Sequence, residues 1–237
     1  MAPWTVNQGR PGARCAIFVF AATAPDARDA PDPSSGFFRM AVGFEVALGV
    51  LALVIGWWIG HAPFGAVRLD DPLFQHAVAV AWGVVGAMPM LAAMWLLDRY
   101  PIGPLRDLRR LVDVHLVPLF APLSVVQMLV VSLAAGVGEE LLFRGLLQEG
   151  LAHWIGPPLG VAVGLLVASL MFGLCHLMTA TYGVLATLVG LYLGLLLLLT
   201  DHLLAPITAH AVYDAVALVY LVKYGGRPVL EEAPVET

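Results

Sequence analysis

Long runs of apolar residues, separated by short polar stretches, dominate the chain. A helix needs about 20 mainly apolar residues to cross a bilayer. Six segments reach that length, which predicts an all-α fold, a polytopic membrane helix bundle of about six transmembrane helices. The six segments run from Phe37 to Gly60, His76 to Leu97, Phe120 to Leu151, Pro158 to Met178, Tyr182 to Thr200 and Leu204 to Tyr224.

Composition agrees with this pattern and narrows the partners of the protein. Of the 237 residues, 60% are hydrophobic and 12% are charged, whereas a soluble domain carries about 25% charged residues. The basic residues lie mainly in the predicted loops and form no stripe that would suit a nucleic acid. We therefore expect an integral, multi-pass membrane protein whose surroundings are the lipid bilayer, the cytoplasmic membrane in a prokaryote, with no nucleic-acid partner.

The polar ends of the chain set the predicted domain organisation. Residues 1–36 end in a stretch rich in Pro, Asp and Ser, which is typical of a disordered or poorly ordered segment. Residues 37–224 form the predicted transmembrane domain, and residues 225–237 form a short polar tail that we expect to be flexible. Met40, at the beginning of the first apolar segment, is an alternative translation start.

Basic residues in short loops predict the orientation of the bundle, because they favour the cytoplasmic side. Both termini are expected in the cytoplasm on this rule. Apolar and charged residues also alternate at helical spacing from Leu105 to Leu116, which suits an interfacial helix. The basic residues that set the orientation are Arg99, Arg106, Arg109 and Arg110 between spans two and three, and Lys223 and Arg227 after span six.

Two adjacent carboxylates, Glu139 and Glu140, lie inside the third predicted span. An ionised side chain at bilayer depth costs about 2.5–3.5 kcal/mol even on lenient insertion scales, so such residues usually mark a functional site. Arg144 follows Glu140 by four residues, which places both on one helical face as an ion pair. Glu139 points about 100° away around the helix axis, so it is free to face the interior of the bundle.

Two further clusters occur in predicted spans four and six. Phe172 and His176 lie late in span four, and His210 and Asp214 lie four residues apart early in span six. Buried charges in a membrane gather together, so we expect one site among helices three, four and six. A carboxylate with two imidazoles can activate water directly as a general base or on a divalent metal such as zinc.

These three clusters resemble the motifs of the CAAX-protease and bacteriocin-processing family of intramembrane proteases, also called the Abi family. The motifs are Glu-Glu-x-x-x-Arg, Phe-x-x-x-His and His-x-x-x-Asn/Asp, in that order on successive membrane helices. They fall here at Glu139-Glu140 with Arg144, at Phe172 with His176, and at His210 with Asp214. The resemblance covers roughly Leu119 to Leu221 and implies an endopeptidase that hydrolyses peptide bonds of membrane-associated substrates.

The resemblance also implies a role for each motif residue. Glu139 and His176 would activate the attacking water, and His210 with Asp214 would stabilise the oxyanion or position the substrate carbonyl. Glu140 with Arg144 would hold the geometry of the site, and Phe172 would pack beside His176. The family has been described both as metal-dependent and as glutamate-type without metal. Glu139, His176 and His210 could therefore ligate zinc, or they could act without any ion.

One departure and two alternative functions stay open at this stage. Family members often carry Asn where this chain has Asp214, and an ionised Asp cannot donate a hydrogen bond to an oxyanion. Either Asp214 is protonated or it orients His210.

A membrane-bound or lipidated peptide is the expected substrate. The same fold could instead serve as a catalytically silent immunity or partner-binding protein, and a third class is a transporter or proton relay.

Helix rise predicts a difficulty with a shared site. At about 1.5 Å per residue, Glu139 lies about 22 Å from the turn near Trp154, and His176 lies about 28 Å from it. His210 lies only about 9 Å from the turn near Asp201, on the same side of the membrane. We therefore expect the Trp154 turn to project out of the bilayer while the Asp201 turn is sunk into the bilayer.

Overall fold

The computed structural model describes residues 33–224, which form helices and turns with no strand among them. This confirms the predicted all-α helix bundle. A π-helical turn, Val112–Leu116, follows α3, and a longer π-helical segment, Leu141–Gln148, joins α5 to α6 without a break. The helices are α1 (Pro33–Ile59), α2 (Leu73–Arg99), α3 (Pro104–Leu111), α4 (Val117–Phe120), α5 (Val125–Glu140), α6 (Glu149–Ile155), α7 (Leu159–Cys175), α8 (Ala180–Thr200) and α9 (Leu204–Lys223).

Five apolar helices in the described region are long enough to cross a membrane: α1, α2, the continuous span Val125–Ile155, α8 and α9. The protein is therefore an integral, multi-pass membrane protein. The fourth predicted span is also a helix, but α7 has only 17 residues and falls short of the other five. It stops before Met178 because the Thr179 side chain already accepts a hydrogen bond from the Tyr182 N–H, which begins α8.

Two helix starts differ from the sequence expectation. Helix α1 begins at Pro33, within the segment that we expected to be poorly ordered, and the rest of that segment, like the predicted C-terminal tail, lies outside the described residues. The third span begins at Val125 rather than at Phe120. The Ser124 hydroxyl accepts from the Gln127 N–H, and the Gln127 side chain accepts from the Ser124 N–H, so this capping box fixes the start.

The packing order places the third span in the middle of the bundle. Helix α5 packs between α1 and α9, and α9 also packs against α2. Helix α7 packs against α8 and against α6 with its preceding π-helical segment. The last turn of α5 therefore faces elements from both halves of the chain. The expected helix from Leu105 to Leu116 is present as α3 and the π-helical turn that follows it.

Glycines let several of these helices approach closely. A Cβ added at Gly164 would overlap the carbonyl oxygen of Gln148, and one at Gly190 would lie 3.1 Å from the Cα of Ser169. Gly156 acts differently, because its φ of +80° ends α6 in a conformation that favours glycine.

The turn between α8 and α9 is folded beneath the loop that joins α1 to α2. Leu203 is fully buried, and its N–H donates to the carbonyl of Ala66 at 2.8 Å. His202 beside it is also buried, and burial lowers the pKa of His202, so the neutral ring accepts the Leu204 N–H at 3.1 Å. This covering buries His202 and Leu203 just before α9, whereas Asp201 is exposed.

A close crossing joins α1 to α5 at Gly138. A Cβ added there would overlap the backbone carbonyl of Glu45, whereas a Cβ at Gly43 would meet no atom within 4 Å. We expect Gly138→Ala to lower the free energy of unfolding by about 1–3 kcal/mol, since backbone must move to admit the methyl group.

The matched change Gly43→Ala is expected to be neutral or stabilising by up to about 1 kcal/mol, because alanine favours a helix. Thermal unfolding of both variants in the same detergent measures the difference. Equal midpoints for the two variants would contradict the close crossing.

Candidate active site

The two carboxylates of the third span lie at the point where α5 changes to π-helical geometry. Glu139 and Glu140 are the last residues of α5, and the π-helical segment starts at Leu141. Insertions of this kind occur frequently at functional sites, since they shift side chains out of regular helical register. Glu140 and Arg144 are completely buried, and Glu139 is only 8% exposed.

Glu140 and Arg144 form the ion pair that their spacing predicts. Arg144 Nη1 donates to Glu140 Oε1 at 2.9 Å, and Arg144 Nη2 donates to the carbonyl of Gly190 on α8 at 2.9 Å. Gln148, one turn later, donates to the carbonyl of Gly194 at 3.1 Å. The two side chains thus tie the π-helical segment to two glycines on α8.

Phe172 lies at the centre of the aromatic and charged contacts. The Arg144 guanidinium sits 4.7 Å from the centroid of the Phe172 ring, a distance typical of a cation–π contact. The His176 ring stacks on Phe172, with centroids 4.5 Å apart, and His210 meets the ring edge-on at 5.9 Å. Phe172 therefore fixes the positions of both histidine rings.

His176 is held so that one ring nitrogen faces Glu139. Its Nδ1 lies 2.8 Å from the carbonyl oxygen of Phe172. A carbonyl only accepts hydrogen bonds, so Nδ1 carries a proton, and whenever the ring is neutral its lone pair is on Nε2. That Nε2 lies 3.9 Å from Glu139 Oε2, which is buried and has no hydrogen-bond partner among the described residues.

His210 stands between two carboxylates. Its Nδ1 lies 2.8 Å from Glu140 Oε1, and its Nε2 lies 3.5 Å from Asp214 Oδ2. Glu140 Oε1 thus accepts hydrogen bonds from both Arg144 and His210. Asp214 lies one helical turn further along α9 and faces the His210 ring, a position from which it can orient that ring.

The structure brings together all seven residues that the three motifs supplied. They come from the end of α5, from the π-helical segment, from the end of α7 and from α9. The depth conflict expected from helix rise does not keep them apart, since His210 contacts Glu140 and lies edge-on to Phe172. The seven residues are Glu139, Glu140, Arg144, Phe172, His176, His210 and Asp214.

The residues considered for zinc do not form a ligand set. In residues 33–224, no three His, Cys, Asp or Glu side chains gather in a way that could hold a metal ion. Glu139, His176 and His210 do not face one point, because the two ring nitrogens of His210 face Glu140 and Asp214. The geometry therefore does not fit an ion shared by Glu139, His176 and His210.

One group near the site was missed in the sequence. Glu45 of α1 has its backbone carbonyl against Gly138, the residue before Glu139, and its Oε2 is buried without a hydrogen-bond partner among the described residues. The available signal was the same as for Glu139: a lone carboxylate in the middle of an apolar span. It belongs to no motif, so its partner could not be named from the sequence.

A histidine outside the motifs has a structural role instead. His61, in the loop after α1, donates from Nε2 to the carbonyl of Gly145 at 2.8 Å. Gly145 lies in the π-helical segment, where the normal helical hydrogen bonds are interrupted. His61 therefore supports the distorted backbone next to the site.

Comparison with known proteins covers this same part of the chain. Residues 121–216 match the family described as type II CAAX prenyl endopeptidase Rce1-like, which confirms the predicted resemblance. Uncharacterized protein YpbD of Bacillus subtilis (strain 168) is 32% identical over 101 residues, 41% of this chain. The match covers 47% of that protein's length. No solved structure matches the chain. At the level of the family, the match supports a membrane endopeptidase.

Proposed function

We propose that this protein is an intramembrane endopeptidase whose attacking water is held between Glu139 and His176. The premise of this proposal is the match of residues 121–216 to the Rce1-like family. The observation that carries the proposal is the 3.9 Å separation of Glu139 Oε2 and His176 Nε2. Both atoms are acceptors, and a polar contact beyond about 3.5 Å leaves room for a bridging water. One water can donate a hydrogen to each atom.

A water held in this way is ready to attack a peptide carbonyl. Its two hydrogens point at Glu139 and His176, so a lone pair of its oxygen is directed away from them. Glu139 takes one proton as the oxygen bonds to the carbonyl carbon, and the carbonyl oxygen becomes an oxyanion. Proton transfer to a positioned base of this kind contributes about 10²- to 10⁴-fold to a rate.

His210 is the donor that we assign to the oxyanion. Glu140 fixes the ring through Nδ1, and Asp214 is the neighbour of Nε2. An N–H aimed at the position where negative charge develops stabilises the transition state more than the ground state. Asp214 orients His210 in the proposed step. This role requires no hydrogen bond from Asp214 to the oxyanion. Glu140 and Arg144 keep the His210 ring in this position, because the Glu140 carboxylate contacts both Arg144 and His210.

Water reaches the pair from the end of α7. The side chain of His176 is 25% exposed and that of Asp214 is 29% exposed, whereas Glu140 and Arg144 are sealed. His176 and Asp214 are therefore the members of the site that are open to the outside of the protein. A membrane-bound or lipidated peptide is the substrate that a site at this depth can receive. The proposed step uses no metal. We also propose that both termini lie in the cytoplasm, as the basic residues in the short loops predict.

Cleavage of a quenched peptide library by the protein in lipid nanodiscs tests this function. Wild type is expected to cleave members of the library, to keep its activity after treatment with a chelator, and to lose it in His176→Ala. His153→Ala is the matched control, because His153 is an exposed histidine outside the site. Full activity in His176→Ala would contradict the proposed water, and loss of activity with the chelator would contradict the metal-free step.

A further inference from the structure

Two histidines outside the motifs, His76 and His202, contact each other through their rings. His76 lies in the first turn of α2, and His202 lies in the turn between α8 and α9. His76 Nδ1 and His202 Nε2 are 2.9 Å apart, and the two rings meet edge to face at 85°. The residues are 126 apart in sequence. Their contact therefore connects the beginning of α2 to the turn from which α9 starts.

A neighbouring hydrogen bond fixes which ring nitrogens of the pair carry hydrogen. The Leu204 N–H donates to His202 Nδ1 at 3.1 Å, so Nδ1 offers a lone pair. A neutral imidazole has one N–H and one lone pair, so the hydrogen of His202 is on Nε2 and points at His76. His76 accepts this hydrogen bond on Nδ1 and carries its own hydrogen on Nε2. The hydrogen bonds thus run in one direction, from Leu204 through His202 to His76.

An added proton cannot be accommodated in this chain of hydrogen bonds. Protonation of His76 on Nδ1 would place two N–H groups face to face across 2.9 Å. Protonation of His202 on Nδ1 would do the same with the Leu204 N–H. Both nitrogens of an imidazolium ring are donors, so every protonated form loses at least one of the two hydrogen bonds. The observed contacts are therefore compatible only with two neutral rings.

The surroundings of His202 also favour its neutral form. His202 is 4% exposed, and it lines a cavity of about 330 Å³ together with Arg68, Asp71 and Asp201. Burial, His76 and Arg68 oppose a positive ring, whereas Asp71 and Asp201 favour one, and the balance lowers the pKa of His202. The unfolded chain therefore takes up this proton more readily than the folded protein does. The contribution of His202 to stability is present above the ordinary histidine pKa of about 6.5 and is lost as the pH falls below that value.

The other contacts of the α8–α9 turn do not involve a histidine side chain. The Leu203 N–H donates to the Ala66 carbonyl at 2.8 Å, and Arg68 Nε donates to the Asp201 carbonyl at 2.8 Å. Both contacts join the turn to the α1–α2 loop. His76 supplies the link from His202 to α2 itself, and that link is the one that an added proton breaks.

We propose that His76 and His202 form a pH-sensitive switch, in which the neutral pair fastens the α8–α9 turn to α2 and acidification releases it. On release the first turn of α9 opens more often, because the Leu204 N–H or the His202 ring has lost its partner. The contacts of Leu203 and Asp201 with the α1–α2 loop persist, so the opening is local and reversible. The switch does not depend on the proposed endopeptidase function.

Hydrogen exchange of the full protein in lipid nanodiscs, followed by mass spectrometry, tests the switch. Exchange of residues 203–207 is compared at about pH 7.5 and about pH 5.5, on either side of the usual histidine pKa, and corrected for the intrinsic rate at each pH. Wild type is expected to open about tenfold more often at the lower pH, the change that corresponds to one pKa unit. His115→Asn, which removes an exposed histidine elsewhere, is the control and is expected to keep this response.

Two variants of the pair distinguish the switch from a general effect of acid. Asparagine in place of His202 can still accept the N–H two residues further on, but it takes up no proton. His202→Asn is therefore expected to open equally often at both pH values. His76→Phe removes the acceptor of His202 Nε2, so it is expected to open more often than wild type already at the higher pH. An undiminished pH response in His202→Asn, or wild-type protection in His76→Phe at the higher pH, would overturn the switch, whether or not the protein cleaves peptides.

Discussion

Replacing Glu139 with Gln is expected to lower kcat for peptide cleavage by about 10²- to 10⁴-fold while the protein keeps its fold. Gln has the same shape and can still accept a hydrogen bond, but it cannot take a proton from the attacking water. Glu139 is 8% exposed and its Oε2 has no partner in the described residues, so the change leaves no buried charge behind. Initial rates at saturating peptide, with thermal unfolding measured in parallel, give both quantities.

Asp70→Asn is the matched control for Glu139→Gln, because it removes one carboxylate from an exposed loop residue. It is expected to change neither kcat nor the unfolding midpoint. If Glu139→Gln cleaves peptides at the wild-type rate, Glu139 is not the base and the proposed water has no acceptor for its proton.

Replacing Arg144 with Met is expected to cost about 3–5 kcal/mol of unfolding free energy, the largest stability effect that we expect in the bundle. Arg144 is fully buried, and its guanidinium bonds to Glu140 and to the carbonyl of Gly190. Its removal leaves Glu140 buried without its cation and leaves the Gly190 carbonyl without this donor. Denaturant unfolding in mixed micelles measures the loss.

The double variant Glu140→Gln with Arg144→Met separates lost charge pairing from lost packing. Replacing both partners of a buried pair is often close to neutral, so the double variant is expected to be more stable than Arg144→Met alone. Arg68→Ala, which removes the exposed pair with Asp201, is expected to cost only about 0.2–1 kcal/mol. An Arg144→Met variant no less stable than Arg68→Ala would contradict a structural role for the buried pair.

Local spacing predicted much of the site because its strongest contacts lie one helical turn apart. Glu140 and Arg144 share a helical face, as do His210 and Asp214, so the rise of a helix is enough to pair them. The stacking of His176 on Phe172 follows from the same spacing at the end of α7. The contact between His210 and Glu140 joins residues 70 apart and needed the motif resemblance as well.

The parts that the sequence did not predict depend on tertiary contacts. Glu45 reaches the site only because α1 crosses α5 at Gly138, and no spacing within α1 encodes that crossing. The π-helical segment has an ordinary apolar sequence, and its backbone is supported by His61 from a distant loop. The short α7 results from the Thr179 cap of the next helix, which hydrophobicity alone does not reveal.

The central claim is that Glu139 and His176 act on one and the same water, and a double-mutant cycle tests it most directly. Residues that act as a unit show strongly non-additive effects on kcat. We predict that Glu139→Gln combined with His176→Ala has a kcat no lower than that of the slower single variant. A double variant whose loss equals the product of the two single losses would show that the residues act independently, and would contradict a water shared between them.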